Sequence, residues 1–201
     1  MADAAISTAL QLGFVLVLAL IVYAALRRPE GSFLRFTGLY RASWLALATG
    51  AGFGLAAALI IVNLPGMAEM AGGERTVAGE AAAGGLGAGA LASLVIAALV
   101  KTSLSEELLF RGLIGRTLIR RIGFTAGNAI QAILFGAIHL LLLLVPTASA
   151  TAVAMLVAAS GISGWLSGWL NERYAAGSIL PGWAAHATAN LVAYLAIAWP
   201  A

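Results

Sequence analysis

Ser105-Glu106-Glu107-Leu108-Leu109-Phe110-Arg111-Gly112 closes a long apolar stretch and sets two adjacent carboxylates where a membrane helix should have none. An ionisable side chain at membrane depth costs about 2.5–3.5 kcal/mol on insertion scales, so such residues mark function by default. Two later apolar stretches carry polar groups of their own: Phe135-Gly136-Ala137-Ile138-His139 and His186-Ala187-Thr188-Ala189-Asn190. Two carboxylates, two imidazoles and an amide in such surroundings read as a hydrolytic centre in lipid.

The composition agrees. Of 201 residues, 62% are hydrophobic and 9% charged, with a mean hydropathy of +0.99. Soluble domains carry about 25% charged residues, so this is the composition of an integral membrane protein. The net charge of +3 does not indicate nucleic acid, because most of the eleven basic residues cluster at segment ends, as membrane topology demands. Cysteine is absent, which excludes disulfides, thiolate metal sites and a cysteine nucleophile. Asp3 is the only early charge and the first apolar run is too long for a signal-peptide core, so residues 1–26 read as a retained span.

Six candidate spans follow, at about 6–26, 43–64, 86–110, 124–145, 148–170 and 179–199, each near the ~20 residues that cross the hydrocarbon core. The expected fold is all-α: one polytopic transmembrane bundle over residues 1–201, with a motif-bearing core at about 86–199. Arg27, Arg28, Arg35 and Arg41 follow span 1; Arg116, Arg120 and Arg121 follow span 3; Arg173 follows span 5. After span 2, Glu69, Glu74 and Glu80 face Arg75 alone, and the Pro146-Thr147 loop is uncharged. The positive-inside rule then puts loops 1, 3 and 5 in the cytoplasm and both termini outside. Residues 65–90, rich in Gly, Ala and Glu, read as an external loop. Within it, Gly84-Gly85-Leu86-Gly87-Ala88-Gly89 lacks the Lys-Ser/Thr ending of a phosphate loop and reads as close helix packing. Gly50/Gly54 and Gly164/Gly168 are small-xxx-small pairs that let backbones approach.

Spans 3 and 4 form a hairpin about Arg120-Arg121-Ile122-Gly123, and Glu106 and His139 are equidistant from that turn, so the two lie at one depth. Glu107 and Arg111 are four apart on one helix face in the favourable order. Glu106 projects about 100° away from Glu107. Adjacent carboxylates resist joint ionisation, and one with a raised pKa suits general-base work near neutral pH; Glu106 acts and Glu107 is braced. Asn128, Gln131, Phe135 and His139 recur on one face of span 4, a stripe that belongs against a wet cavity or the protein interior. His186 and Asn190 share a face of span 6, and Pro181 fits its first turn. The centre opens toward the cytoplasm. Taken singly, each has a plain structural reading: an ion pair, an interhelical hydrogen bond, a packing stripe, a snorkelling Lys101. The set on three spans is what points to chemistry.

At these residues the chain resembles the CAAX-protease and bacteriocin-processing (CPBP, or Abi) family of intramembrane proteases, related to the CAAX prenyl endopeptidase. Glu-Glu-x-x-x-Arg is met by Glu106, Glu107 and Arg111, Phe-x-x-x-His by Phe135 and His139, and His-x-x-x-Asn by His186 and Asn190. The match covers about residues 100–195. The resemblance implies an endopeptidase in which Glu106 activates water with help from His139. His186 and Asn190 stabilise the oxyanion, Glu107 and Arg111 brace the site, and Phe135 packs beside it. It leaves the metal open: a metal-free mechanism is the preferred reading, and Glu106, His139 and His186 are the ligands if zinc is used. The expected substrate is a membrane-associated peptide, with a C-terminal CAAX-like segment as the family's version, and the expected location is a bacterial inner membrane. The alternatives are a catalytically silent scaffold or bacteriocin-immunity protein and, more remotely, a small ion transporter.

Overall fold

The computed structural model describes residues 2–26, 31–74, 76–85, 87–144 and 148–199. Arg27, Arg28, Arg75, Leu86, Pro146 and Thr147, used above, lie outside them. Every regular element among the described residues is helical.

Helix α1 (Ala2–Ala25) has 24 residues, about 36 Å at 1.5 Å per residue, and turns Leu10, Phe14, Val17 and Ile21 outward as a lipid-facing surface. A short α2 (Phe33–Thr37) follows, capped by Ser32 and ended by Gly38 at φ +80°. Helix α3 (Trp44–Ile61) starts where the Ser43 hydroxyl accepts the Ala46 N–H. The connection expected as an external loop over residues 65–90 carries short helices among its described residues. These are α4 (Met67–Ala71) and α5 (Val77–Ala83). Met67 and Met70 pack on Ala152 and Val153, and Ala78 and Ala81 on Leu94 and Ala198. Of the glycines after α5, Gly85 serves a turn at φ +65°, where a Cβ would meet open space, and Gly84 packs closely, since a Cβ there would come within 2.9 Å of Ala90 Cβ.

A single 35-residue helix, Ala88–Ile122, carries the glutamate pair. It opens as α6 (Ala88–Ile96) and closes as α7 (Arg116–Ile122); between them lie two π-wound stretches, Ala97–Leu104 and Glu107–Gly115. π-Winding is rare and concentrates at functional sites. Neighbouring helices bond to carbonyls of the first stretch: Gln11 donates to Lys101 O at 2.8 Å and Trp183 to Leu99 O at 2.8 Å. Gly123, at φ +83°, turns the chain into α8 (Phe124–Ile138), which tightens to a 3₁₀ segment over His139–Leu144. The expected hairpin is therefore present. Helix α9 (Ala150–Trp169) runs into a π turn, Leu170–Tyr174, and α10 (Leu180–Ala198) has Pro181 in its first turn.

Among the described residues, five helices are long and apolar enough to cross a membrane: Ala4–Ala25, Trp44–Ile61, Ala88–Ile122, Phe124–Leu144 and Ala150–Tyr174. They match the first five expected spans. The sixth, α10, forms over 19 residues but is not one of these five, because Pro181, His186 and Asn190 dilute its apolar character. It packs most closely on α3. A Cβ on Gly50 or Gly54 would collide with the backbone carbonyls of Pro181 and Ala185 respectively, so this small-residue pair sets the α3–α10 approach.

Loops 1, 3 and 5 meet at one end of the bundle. Arg116 Nη1 donates to Arg35 O at 2.7 Å, and its Nε lies 3.7 Å from Glu172 Oε1. Tyr40 donates to Ala176 O at 2.7 Å, and Ile179 N to Gly38 O at 3.0 Å.

Candidate active site

The brace expected between Glu107 and Arg111 is formed. Glu107 is fully buried and Arg111 is 4% exposed, with Nη1 3.1 Å from Oε1. The Arg111 guanidinium carbon also lies 4.0 Å from the centre of the Phe135 ring. Gly164 makes room for this stack: a Cβ there would come within 3.0 Å of Phe135 and 3.2 Å of Arg111 Nη2.

Glu106, one residue earlier, diverges as expected. Its side chain is 25% exposed and lines a cavity of about 720 Å³ together with Phe135, His139, Ser160, His186 and Asn190. All four candidate catalytic residues thus share one cavity. Phe135 organises the two imidazoles, meeting His139 edge-on at 5.3 Å and His186 at 5.5 Å between centroids. A third edge-on contact, with Phe110 at 5.2 Å, anchors it to the glutamate-bearing helix.

His186 stands against both carboxylates, with Nε2 3.8 Å from Glu106 Oε2 and Nδ1 3.6 Å from Glu107 Oε1. The sequence reading did not anticipate this. It depends on Gly182, one turn earlier on α10, where a Cβ would sit 2.7 Å from Glu107 Oε2 and 2.6 Å from Asn171 Nδ2. Asn171 holds that turn by accepting the Gly182 N–H at 2.8 Å.

His139 ends α8, and its Nδ1 pairs with the Phe135 carbonyl at 2.9 Å. A carbonyl only accepts, so Nδ1 carries the proton and Nε2 is left with a lone pair. Ser160 Oγ lies 3.4 Å from that Nε2. Asn190 donates through Nδ2 to Ser103 Oγ at 3.1 Å.

Asn128 and Gln131 occupy the protein interior rather than the cavity. Asn128 donates to Trp165 O at 3.0 Å; Gln131 donates to Asn128 Oδ1 and Gly164 O, each at 2.9 Å. They lock α8 to α9. At Gly168 a Cβ would collide with Asn128 Oδ1, which accounts for the second small-residue pair.

No group of three or more Asp, Glu or His among the described residues is placed to hold a metal ion. Should an ion be used, the Nε2 atoms of His139 and His186 and the Glu106 carboxylate are the donors left for it, since His139 Nδ1 is bonded to Phe135 O and His186 Nδ1 faces Glu107.

Sequence reading missed Ser103, Ser160, Asn171 and Gly182. Ser160 had a signal, since it precedes Gly164 by one turn on the same small-residue face. Asn171 and Gly182 had none, because their role depends on how α10 approaches Glu107.

The fold is that of a polytopic membrane protein with an acid–imidazole–amide cavity inside its bundle. A family model for type II CAAX prenyl endopeptidase Rce1-like proteins matches residues 88–192, just over half of the chain and inclusive of all four candidate catalytic residues. The chain belongs to this Rce1-like family of membrane endopeptidases. No curated protein and no solved structure matches it significantly.

Proposed function

We propose that the protein hydrolyses a peptide bond of a membrane-associated substrate through a water activated by Glu106. The observation that carries this reading is the convergence of Glu106, His139, His186 and Asn190 on one cavity. Glu106 takes a proton from water, and His139 Nε2 accepts that water's second hydrogen bond. The water oxygen attacks the carbonyl carbon. N–H groups of His186 and Asn190 face the oxygen that gains charge, a contribution worth about 10²–10³ in rate per donor. Glu106 returns the proton to the leaving nitrogen as the C–N bond breaks, giving a carboxylic acid and an amine. Glu107, neutralised by Arg111, holds His186 in place. No step requires a metal.

The walls of the cavity are mainly apolar, with Ile61, Met67, Met70 and Leu156 among them. They suit an apolar peptide segment that reaches the site from the bilayer; the family's CAAX-type C-terminal segment is one such substrate. The gathering of Arg35, Arg116, Arg120, Arg121 and Arg173 on the loops at one end supports a cytoplasmic placement of that end, in a bacterial inner membrane; the cavity, walled by Met67, Met70, Thr76 and Ala78 of the segment between α3 and α6, extends toward the opposite end and not toward the cytoplasm as the sequence led us to expect.

The test is cleavage of a peptide library by protein reconstituted in vesicles, beside Glu106→Gln and His139→Ala. Loss of cleavage in both variants is expected. Undiminished cleavage by Glu106→Gln would remove the assignment.

A further inference from the structure

We infer that Ser103 is a positioning residue for this reaction, fixing which way the Asn190 carboxamide faces. The inference rests on the oxyanion role proposed for Asn190. Ser103 is fully buried. Its hydroxyl has one proton, and that proton goes to Ala98 O at 2.6 Å. The partner carbonyl is five residues back, a reach that matches π-winding rather than α-winding; Ser105 makes the same five-residue bond to Val100 O at 3.3 Å.

With its proton committed, Ser103 Oγ can only accept. It accepts from Asn190 Nδ2 at 3.1 Å. A flipped carboxamide would set Oδ1 against Oγ, two acceptors with no proton between them. Asn190 therefore presents nitrogen to Ser103, and its second N–H remains for the cavity that Asn190 lines. Without this partner the amide loses its reason to prefer nitrogen over oxygen on the Ser103 side, and a fraction of molecules would offer a lone pair where a donor is needed.

The experiment is a double-mutant cycle on the reconstituted protein, using the best-cleaved library peptide as probe. Ser103→Ala is expected to lower kcat about 10-fold, less than the full loss of an oxyanion donor, with KM within about 2-fold. On the Asn190→Ala background the same change is expected to be silent, because the group it acts through is gone. Ser103→Thr, which keeps the hydroxyl, should recover most of the rate. If Ser103→Ala fails to fold, Ser103→Cys takes its place, since a thiol is a weak acceptor. Unchanged kcat in Ser103→Ala overturns the inference, and so does an equal loss on both backgrounds, the mark of a merely structural role. Full activity in Asn190→Ala removes both this inference and the oxyanion assignment; impaired Asn190→Ala with an additive Ser103→Ala removes this inference alone.

Discussion

Arg111 lies with its guanidinium carbon 4.0 Å from the centre of the Phe135 ring while Nη1 pairs with Glu107 at 3.1 Å. One side chain thus ties the glutamate-bearing helix to the aromatic ring against which both imidazoles rest. Removing it leaves Glu107 buried without its guanidinium partner, a change that costs about 3–5 kcal/mol. Arg111→Met is expected to lower the thermal midpoint in detergent strongly, and Arg111→Met/Glu107→Met to recover much of that loss. Arg111→Lys should not restore the wild-type midpoint, because an ammonium lacks the planar face that stacks on Phe135.

Glu106 is the reverse case. It is partly exposed, and the His186 imidazole lies 3.8 Å from its carboxylate. Glu106→Gln is expected to leave the thermal midpoint close to wild type while lowering kcat by about 10²–10⁴, the range for a lost general base. Unfolding curves and cleavage rates on the same preparation measure the two effects separately.

Helix α3 supplies its own control for the packing against α10. Gly54→Ala drives a methyl into the Ala185 carbonyl, whereas Gly52→Ala meets nothing within 4 Å. Overpacking typically costs about 1–3 kcal/mol. Gly54→Ala is expected to destabilise the protein and to reduce cleavage, because α10 carries His186 and Asn190; Gly52→Ala is expected to do neither. Equal midpoints for the two variants would show that α3 and α10 do not meet as described.

A chelator addresses the remaining ligand question. Because no group of three or more Asp, Glu or His among the described residues is placed to hold a metal ion, cleavage is expected to continue in phenanthroline. Activity that disappears with chelator and returns with added zinc would instead assign Glu106 and the Nε2 atoms of His139 and His186 as the ligands of the ion.

What could be read from the sequence was local. Glu107 and Arg111 are four residues apart, so helix geometry alone placed them together. Gly50 and Gly54 marked a close approach, though not its partner, and Gly123 marked the hairpin turn. The short helices within residues 65–90 went unread because a Gly- and Ala-rich stretch has weak periodicity; Met67 and Met70, three apart, were its available sign of a buried face. The stance of His186 between two carboxylates was out of reach, since it is set by the fit of α10 at Gly182, Gly50 and Gly54. Ser103 was missed for a different reason: its partners follow π-winding, and the usual helical period gives them no special spacing.

The stretches Ala97–Leu104 and Glu107–Gly115, on either side of Ser105 and Glu106, are both π-wound. Their counting therefore differs from that of every ordinary helix around them. Deleting one residue from Ala97–Leu104 would shift all that precedes it by about 100° around the axis relative to Glu106. Trp183 and Gln11 would lose their carbonyl partners without themselves being touched. Length in this segment is thus as binding as chemistry, and a redesign that preserved each polar side chain but dropped one alanine would present them to the wrong neighbours.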